Sequence, residues 1–449
     1  MGRGHKKRRE RLLAQGPQPL EVERLDRKGW GVGHRDGRQV RVFGVLPGEA
    51  ISYQPTSRRG GTEEGHVVAL VRPSPARVEP GCAHFGTCGG CSLQHLSAPD
   101  RMKRAQTDLA QLFEAVGVRP RDWATPLMGE QWGYRRKARL GVKKVDGKGR
   151  VLVGFREVDK RFVAALERCP ILAPPVGDLL RPLGELFDAT SLARRIPQVE
   201  VAVGDDATAL ILRVLDPPTP GDLAHFRDFE RDHGVRIYLQ SGGPETVAPL
   251  DGADPSLSYA VDDELNLRFA PQDFVQVHGP QNKRMIAQAL AWLALPAGQT
   301  VSVLDLFCGL GNFTLPLARA GARVHGVEGD AGLVERGRAN AARHALTQVT
   351  FDAADLYGDL TGVPLEGPEP GRAWDRVLLD PPRSGALTVA ERLAAGPCPR
   401  VVYVACGPEA LARDAAVLEQ GGYRLALAGV MDLFPQTGHY ESMALFVRG

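Results

Sequence analysis

Val301-Ser302-Val303-Leu304-Asp305-Leu306-Phe307-Cys308-Gly309-Leu310-Gly311-Asn312 is a short apolar run that ends in an acid and a tight glycine turn. A run of this length closed by turn residues reads as a strand buried on both faces. Two glycines let the backbone approach a ligand, but the third glycine of a dinucleotide fingerprint is Thr314 here, so the turn alone says little. Repetition downstream decides the fold. ARVHGVE ends in Glu328, VTFDAAD in Asp355, WDRVLLD in Asp380 and RVVYVAC in Cys406, with helical stretches between several of them. Alternating buried strands and helices predict a doubly wound α/β sheet, which binds ligands at the carboxyl ends of its strands. Asp305, Glu328, Asp355, Asp380 and Cys406 all fall at that edge.

The polar residues at those ends suggest what is bound. Glu328 is placed to hydrogen-bond ribose hydroxyls and Asp355 to stand near an adenine. The chain has no P-loop lysine motif, so the expected ligand is a nucleoside cofactor without a polyphosphate, and S-adenosylmethionine fits. In Asp380-Pro381-Pro382-Arg383 two prolines fix the backbone and aim the acid and the arginine into the cleft. Cys406 is followed by Gly407 and by Pro408, a good first residue for a helix whose dipole would favour a thiolate. Glu441, which opens the last strand, is a candidate general base. Cys308 and Cys398 lack such company and read as packing residues.

Upstream, residues 18–72 show short β-rich runs broken by glycine turns, the punctuation of a small β-barrel of about five strands. A proline-rich join leads to Cys82, Cys88 and Cys91, spaced C-x₅-C-x₂-C among three glycines, with Cys169 before Pro170. Three cysteines within ten residues and a fourth downstream predict a metal centre, and spacing alone leaves zinc and iron–sulfur both open. Residues 97–116 have helical period, with Leu109, Leu112, Phe113 and Val116 on one face, and Gln131 to Phe269 reads as mainly strands. Basic residues concentrate at Arg3, Lys6, Lys7, Arg8, Arg9 and Arg11. They do so again from Arg135 to Arg161, where eleven Lys or Arg stand against three acids behind Trp132 and Tyr134. Basic side chains interleaved with aromatics suit single-stranded nucleic acid, and equally a solvated strand face.

The 449 residues suggest two to four domains, and 43% hydrophobic with 24% charged residues is ordinary for a globular protein. A net charge of +3 identifies no partner. No apolar run is long enough to cross a bilayer and the basic N-terminus is followed by no secretory pattern, so a cytoplasmic protein with no membrane partner is expected. Seven cysteines without an export signal make a disulfide framework improbable.

Taken together, these motifs resemble the TRAM-domain RNA uracil-5 methyltransferases, specifically the iron–sulfur bacterial branch that modifies 23S ribosomal RNA. The likeness spans nearly the whole chain and rests on Cys-Ala-His-Phe-Gly-Thr-Cys-Gly-Gly-Cys at 82–91, Tyr134-Arg135-Arg136-Lys137-Ala138-Arg139-Leu140, Phe274-Val275-Gln276 and the edge residues above. It implies a basic tail over 1–14, a TRAM (OB-type) RNA-binding barrel over 15–74 and a mixed, mainly β iron–sulfur domain over 75–270, whose helix at about 97–118 docks on the catalytic domain. A class I methyltransferase domain over 271–449 completes the division. It further implies Cys82, Cys88, Cys91 and Cys169 as [4Fe–4S] ligands, and Gln276, Phe307, Asn312, Glu328, Asp355 and Asp380 as cofactor contacts. Cys406 would be the nucleophile and Glu441 the base, with 23S ribosomal RNA as partner and no protein partner evident. Two departures are visible: Gln276-Val277-His278 where the family usually has Gln-Val-Asn, and Cys406-Gly407-Pro408 where it usually has Cys-Asn-Pro. Transfer RNA as substrate, cytosine-5 methylation, and a non-catalytic RNA-binding or assembly factor are the competing readings. Asp380-Pro381-Pro382 stands where a cytosine enzyme would carry a second cysteine, and an intact nucleophile and base argue against the last.

Overall fold

The computed structural model describes residues 10–252 and 257–448, so Arg3 to Arg9 of the basic tail lie outside it. Strands β1 (Gln18–Glu21), β2 (Arg24–Leu25), β3 (Gly31–Arg35), β4 (Arg38–Phe43), β5 (Ala50–Arg59) and β6 (Thr62–Arg72) form a six-stranded sheet in the order β1-β5-β6-β4-β3-β2. β1 and β2 are two halves of one broken strand. Leu20 pairs with Ile51 of β5 and Leu25 with Gly31 of β3, so the sheet curls round Leu20, Val22, Val40, Val42, Val45, Ile51 and Tyr53. That break accounts for six strands where about five were expected. Gly33 permits the curl, since a Cβ there would stand 2.2 Å from the Glu21 carbonyl oxygen.

After β7 (Asp122–Trp123), a second sheet holds β8 (Lys137–Val145), β9 (Arg150–Gly154), β10 (Gln198–Val203), β11 (Thr208–Arg213), β12 (Arg236–Gln240) and β13 (Val247–Pro249), ordered β13-β12-β11-β10-β8-β9. β8 alternates as a half-buried strand should, with Ala138, Leu140 and Val142 inward. The charges on it and beside it are largely paired, in keeping with the strand-face reading. Arg136 pairs with Asp205, Arg139 with Glu200 on the neighbouring strand, Lys144 with Asp188 and Arg150 with Glu167. Burial pushes the Lys137 amine down to about 8, and it donates to the Pro271 carbonyl. Tyr134 is buried and stacks on His278, so it offers no face to a base. Several of these cations are therefore held in ion pairs, of which Arg139–Glu200 runs between neighbouring strands.

A hairpin of β14 (Leu257–Ala260) and β15 (Asn266–Phe269) leads to the third sheet. Its strands are β16 (Ser302–Leu306), β17 (Arg323–Glu328), β18 (Val349–Ala353), β19 (Arg376–Leu379), β20 (Arg400–Ala405), β21 (Tyr423–Met431) and β22 (Glu441–Arg448), ordered β18-β17-β16-β19-β20-β22-β21-β7. β16 to β20 are parallel and β22 lies antiparallel between β20 and β21. The order reverses between β16 and β19, which opens a crevice at their carboxyl ends. The helix Ala98–Ala115, capped by Ser97, buries Met102, Ala105, Leu109 and Phe113 in the same core as β19, β20 and β21. Val116, expected on that face, is the C-cap residue and stands 42% exposed, because the chain turns away at Gly117 with φ +77°. Among the described residues no helix is long and apolar enough to cross a membrane.

Leu109 and Val116 thus make a matched test of this packing. Leu109→Ala should lower unfolding stability by about 2–5 kcal/mol and Val116→Ala by under about 0.5 kcal/mol, read from urea midpoints at constant m-value. Equal effects would mean that the helix does not dock as described.

Candidate active site

The turn after β16 is shaped by its backbone. Phe307 has φ +62°, uncommon for a side chain of this kind, and Gly309 and Gly311 follow at +56° and +100°. A Cβ on Gly311 would stand 2.3 Å from Leu315, which makes glycine necessary there. Thr314, in place of a third glycine, donates its hydroxyl to Asp305 Oδ2 at 2.5 Å. Asp305 is fully buried, and desolvation pushes its carboxyl up to about 8. It is a structural acid within β16, not an exposed strand end.

Glu328 closes β17 and accepts from the Gly309 amide at 3.0 Å and the Asp330 amide at 3.1 Å, which binds the two turns together. Asp355 is exposed two residues past β18 and accepts from the Tyr357 amide at 2.8 Å. Tyr357 in turn lies 5.6 Å from the Phe307 ring. Asn312 makes a reciprocal amide pair with the buried Asn282, at 2.8 and 3.0 Å, and accepts from the Tyr259 hydroxyl at 3.2 Å. Gln276 donates to Asp380 Oδ2 at 3.4 Å. Phe307, Glu328 and Asp355 thus surround the turns of β16 to β18, and Gln276 and Asp380 stand beyond the end of β19.

Cys406 and Glu441 meet through strand register. Ala405 pairs with Ser442, so the next position along β20 carries Cys406 towards Glu441. Both sit among few counter-charges. Burial pushes the Cys406 thiol up to about 12, with Glu441 and Asp380 adding to the effect and Arg383 opposing it. Burial and Asp380 raise the Glu441 carboxyl well above the usual range, and burial raises Asp380 to about 7. The thiolate expected from the helix Pro408–Gln420 is therefore not the resting state. Desolvation by burial, helped by the nearby Glu441 and Asp380 carboxyls, outweighs the helix N-terminus.

Both departures have local reasons. His278 caps the helix Gly279–Leu293, as an asparagine would, by accepting from the Gln281 amide at Nδ1, while Nε2 contacts the Glu130 carbonyl at 3.0 Å. That pair of partners fixes the neutral ring with its proton on Nε2. At Gly407 a Cβ would stand 2.6 Å from the Arg383 carbonyl oxygen, so glycine lets the Asp380–Arg383 loop press against the turn that follows Cys406. Asp414, not singled out in the sequence, accepts from the Ala386 amide and the Tyr403 hydroxyl at 2.7 Å each and anchors the far end of that loop.

Cys82, Cys88, Cys91 and Cys169 line one cavity with Phe85 and Phe155. Burial raises Cys91 to about 12 and Cys169 to about 11, and the neighbouring cysteines raise both further. Among the described residues no group of three or more His, Cys, Asp or Glu is set to hold a metal ion, so the cavity is walled by thiols without forming a closed ligand set. Cys308 and Cys398 are buried packing residues.

The barrel reaches this site. Arg27 pairs with Glu409 in the first turn after Cys406, and a Cβ on Gly438 would stand 2.6 Å from the Arg27 carbonyl oxygen. Burial lowers the pKa of His439, and Arg383, Arg135, Arg27 and Lys28 lower it further, so four cations gather near the entrance. Sequence reasoning gave the barrel no part in shaping the pocket, because these contacts join residues near 27 to residues beyond 400.

The profile of the tRNA (uracil-5-)-methyltransferase family matches residues 254–448. A protein of Alkalilimnicola ehrlichii named 23S rRNA (uracil(1939)-C(5))-methyltransferase RlmD is 49% identical, over 98% of this chain and 99% of that one. A protein of the same name from Nitrosococcus oceani is 47% identical over 98% of each. A solved structure of Pyrococcus abyssi tRNA (uracil-54, C5)-methyltransferase with S-adenosyl-L-homocysteine shares the fold, with TM-score 0.74 and 21% identity over 96% of this chain and 99% of that one. Likeness at this level along nearly the whole length decides the matter: the chain belongs to the S-adenosylmethionine-dependent RNA (uracil-5-)-methyltransferases.

Proposed function

We propose that this enzyme methylates C5 of a specific uridine in 23S ribosomal RNA, with Cys406 as nucleophile and Glu441 as base. The observation that carries the reading is the β20–β22 register, which sets a thiol against a buried carboxyl at the carboxyl edge of the sheet. C5 of uracil is a weak nucleophile, and addition of the Cys406 sulfur at C6 gives an enolate that is a strong one. Bound S-adenosylmethionine supplies the electrophilic methyl group. Gln276, Phe307, Asn312, Glu328, Asp355 and Asp380 would hold it, and their place round the turns of the first four parallel strands supports that role. Glu441, as carboxylate, then takes the C5 proton, the C6–S bond breaks with its electron pair on sulfur, 5-methyluridine leaves, and the proton now on Glu441 returns the Cys406 thiolate to the thiol. A carboxyl with a raised pKa is the stronger proton acceptor once ionised. The target base must leave any stack to reach this edge. The relatives named for 23S rRNA match at full length, which favours that substrate over transfer RNA, the substrate named for the family profile and the Pyrococcus structure.

The N-terminal barrel is read as a TRAM domain that delivers RNA past Arg27 and Lys28 to Arg383. Cys82, Cys88, Cys91 and Cys169 would hold a [4Fe–4S] cluster. Four crowded thiols on one apolar-walled cavity fit a group that takes their protons and binds sulfur, and its role would be structural because this chemistry is polar.

The substrate is tested by mapping 5-methyluridine in cells with and without the gene. Loss at one 23S position is expected, and loss only in transfer RNA would overturn the assignment. Cys406→Ala should bind RNA yet give neither product nor crosslink, whereas Glu441→Gln should accumulate a denaturant-stable, methylated protein–RNA adduct on a labelled gel. A Glu441→Gln enzyme turning over at the native rate would remove Glu441 as the base. A thiol with a pKa of about 12 gains thiolate about tenfold per pH unit below that value, so alkylation of Cys406, followed by peptide mapping, should rise without a plateau from pH 7 to about 10. A plateau near pH 7 would show a thiolate at rest. Anaerobically purified protein should be brown and contain iron, and Cys169→Ser should lower iron content. Stoichiometric zinc without iron would refute the cluster.

A further inference from the structure

Glu441 opens β22 at the end of the loop 432–440, and what holds that loop comes from far upstream. The Gln436 carbonyl accepts from both the Ser92 and Leu93 amides at 2.9 Å, and the Gly438 amide donates to Ser92 Oγ at 3.1 Å. The Tyr134 hydroxyl donates to the Pro435 carbonyl at 2.9 Å. At the loop's root, Arg101 of the helix Ala98–Ala115 is 4% exposed and forms an ion pair at 3.3 Å with Asp432, itself 1% exposed. The same guanidinium donates to the Leu96 carbonyl at 2.8 Å, to Gln436 Oε1 at 3.4 Å and to the Gln131 side chain, which donates to Asp432 at 3.3 Å. One planar fork thus serves four acceptors, which a lysine ammonium with a single centre cannot reproduce. Gln436 has φ +69°, a strained conformation for a non-glycine residue that persists only where neighbours impose it.

We propose that Arg101 and Ser92 are positioning residues for Glu441, fixing the loop so that the carboxyl is aligned for C5 proton removal. The proposal rests on the reading of Glu441 as the base. Addition at C6 and methyl transfer use Cys406 and the cofactor edge, none of whose named residues is a hydrogen-bond partner of Arg101 or Ser92 Oγ, so elimination is the step that depends most on the clasp. Ser92 directly follows Cys91, and the cysteine segment is therefore one peptide from the clasp that orients the base.

The test separates the steps in single-turnover reactions of the full-length enzyme with methyl-labelled cofactor and an RNA fragment. The denaturant-stable labelled adduct and the released methylated RNA are measured against time, with melting temperatures recorded alongside. Ser92→Ala and Arg101→Lys should form labelled adduct at the native rate and release RNA about tenfold more slowly, within the range that small misplacements of a catalytic group produce. Adduct formation and release falling together, in step with melting temperature, would reduce the clasp to a stabilising role and overturn the proposal. Should Arg101→Lys fail to fold, Ser92→Ala, which loses only a hydroxyl, decides. Glu441→Gln is run beside them. If it traps adduct while both clasp variants release normally, the clasp alone is wrong. If it traps none, the assignment of the base falls and the proposal with it.

Discussion

Ala405 pairs with Ser442 and Met431 with Glu441, so β22 is held antiparallel between two strands and its register is fixed on both sides. Strand side chains alternate with period two, and a slip of one residue would turn Glu441 to the opposite face while taking Met443 and Leu445 out of one core and Ala444 and Phe446 out of the other. The packing of an apolar strand therefore fixes where the carboxyl sits relative to the thiol. Shifting the Glu441 backbone along the ladder would move all eight residues of β22 together, so what the loop before it can still set is the direction of the carboxyl at the strand's first residue.

A second constraint follows from what the sheet buries. Cys406, Asp380 and Glu441 share an edge where desolvation raises each of them, and Arg383 opposes the rise at Cys406 and Glu441. Such a site favours protonated groups at rest and meets an incoming cation or hydrogen-bond donor with charge it has not yet released. A thiol held protonated in this way is slow to oxidise, since the thiolate is the form that reacts.

Much of this was legible in the sequence because strand-end residues follow a pattern that one dimension preserves. Glu328, Asp355, Asp380 and Cys406 could be read from their place after apolar runs. Asn282, Asp414 and Arg101 could not, since their partners Asn312, Ala386 and Asp432 are known only once the chain has folded. The basic stretch from Arg135 left two readings open for the same reason, as acids such as Glu200 and Asp188 arrive from other elements. The thiol was misjudged through magnitude. A helix N-terminus is worth under about 1 kcal/mol, less than one pKa unit, too little to offset burial that takes Cys406 from 9.0 to about 12.

The helix Ala98–Ala115 and β7 complete a core whose other members lie beyond residue 300. β7 covers the outer edge of β21 with a single parallel rung pair, Leu427 with Asp122 and Ala428 with Trp123. Until that segment docks, β21 presents an open strand edge, which is a template for pairing with other chains. Contacts between residues so distant in sequence form slowly, because the closure entropy of the intervening chain must be overcome first. The catalytic sheet therefore passes through a period during folding in which it is sticky, and a segment excised at residue 271 would remain in it permanently.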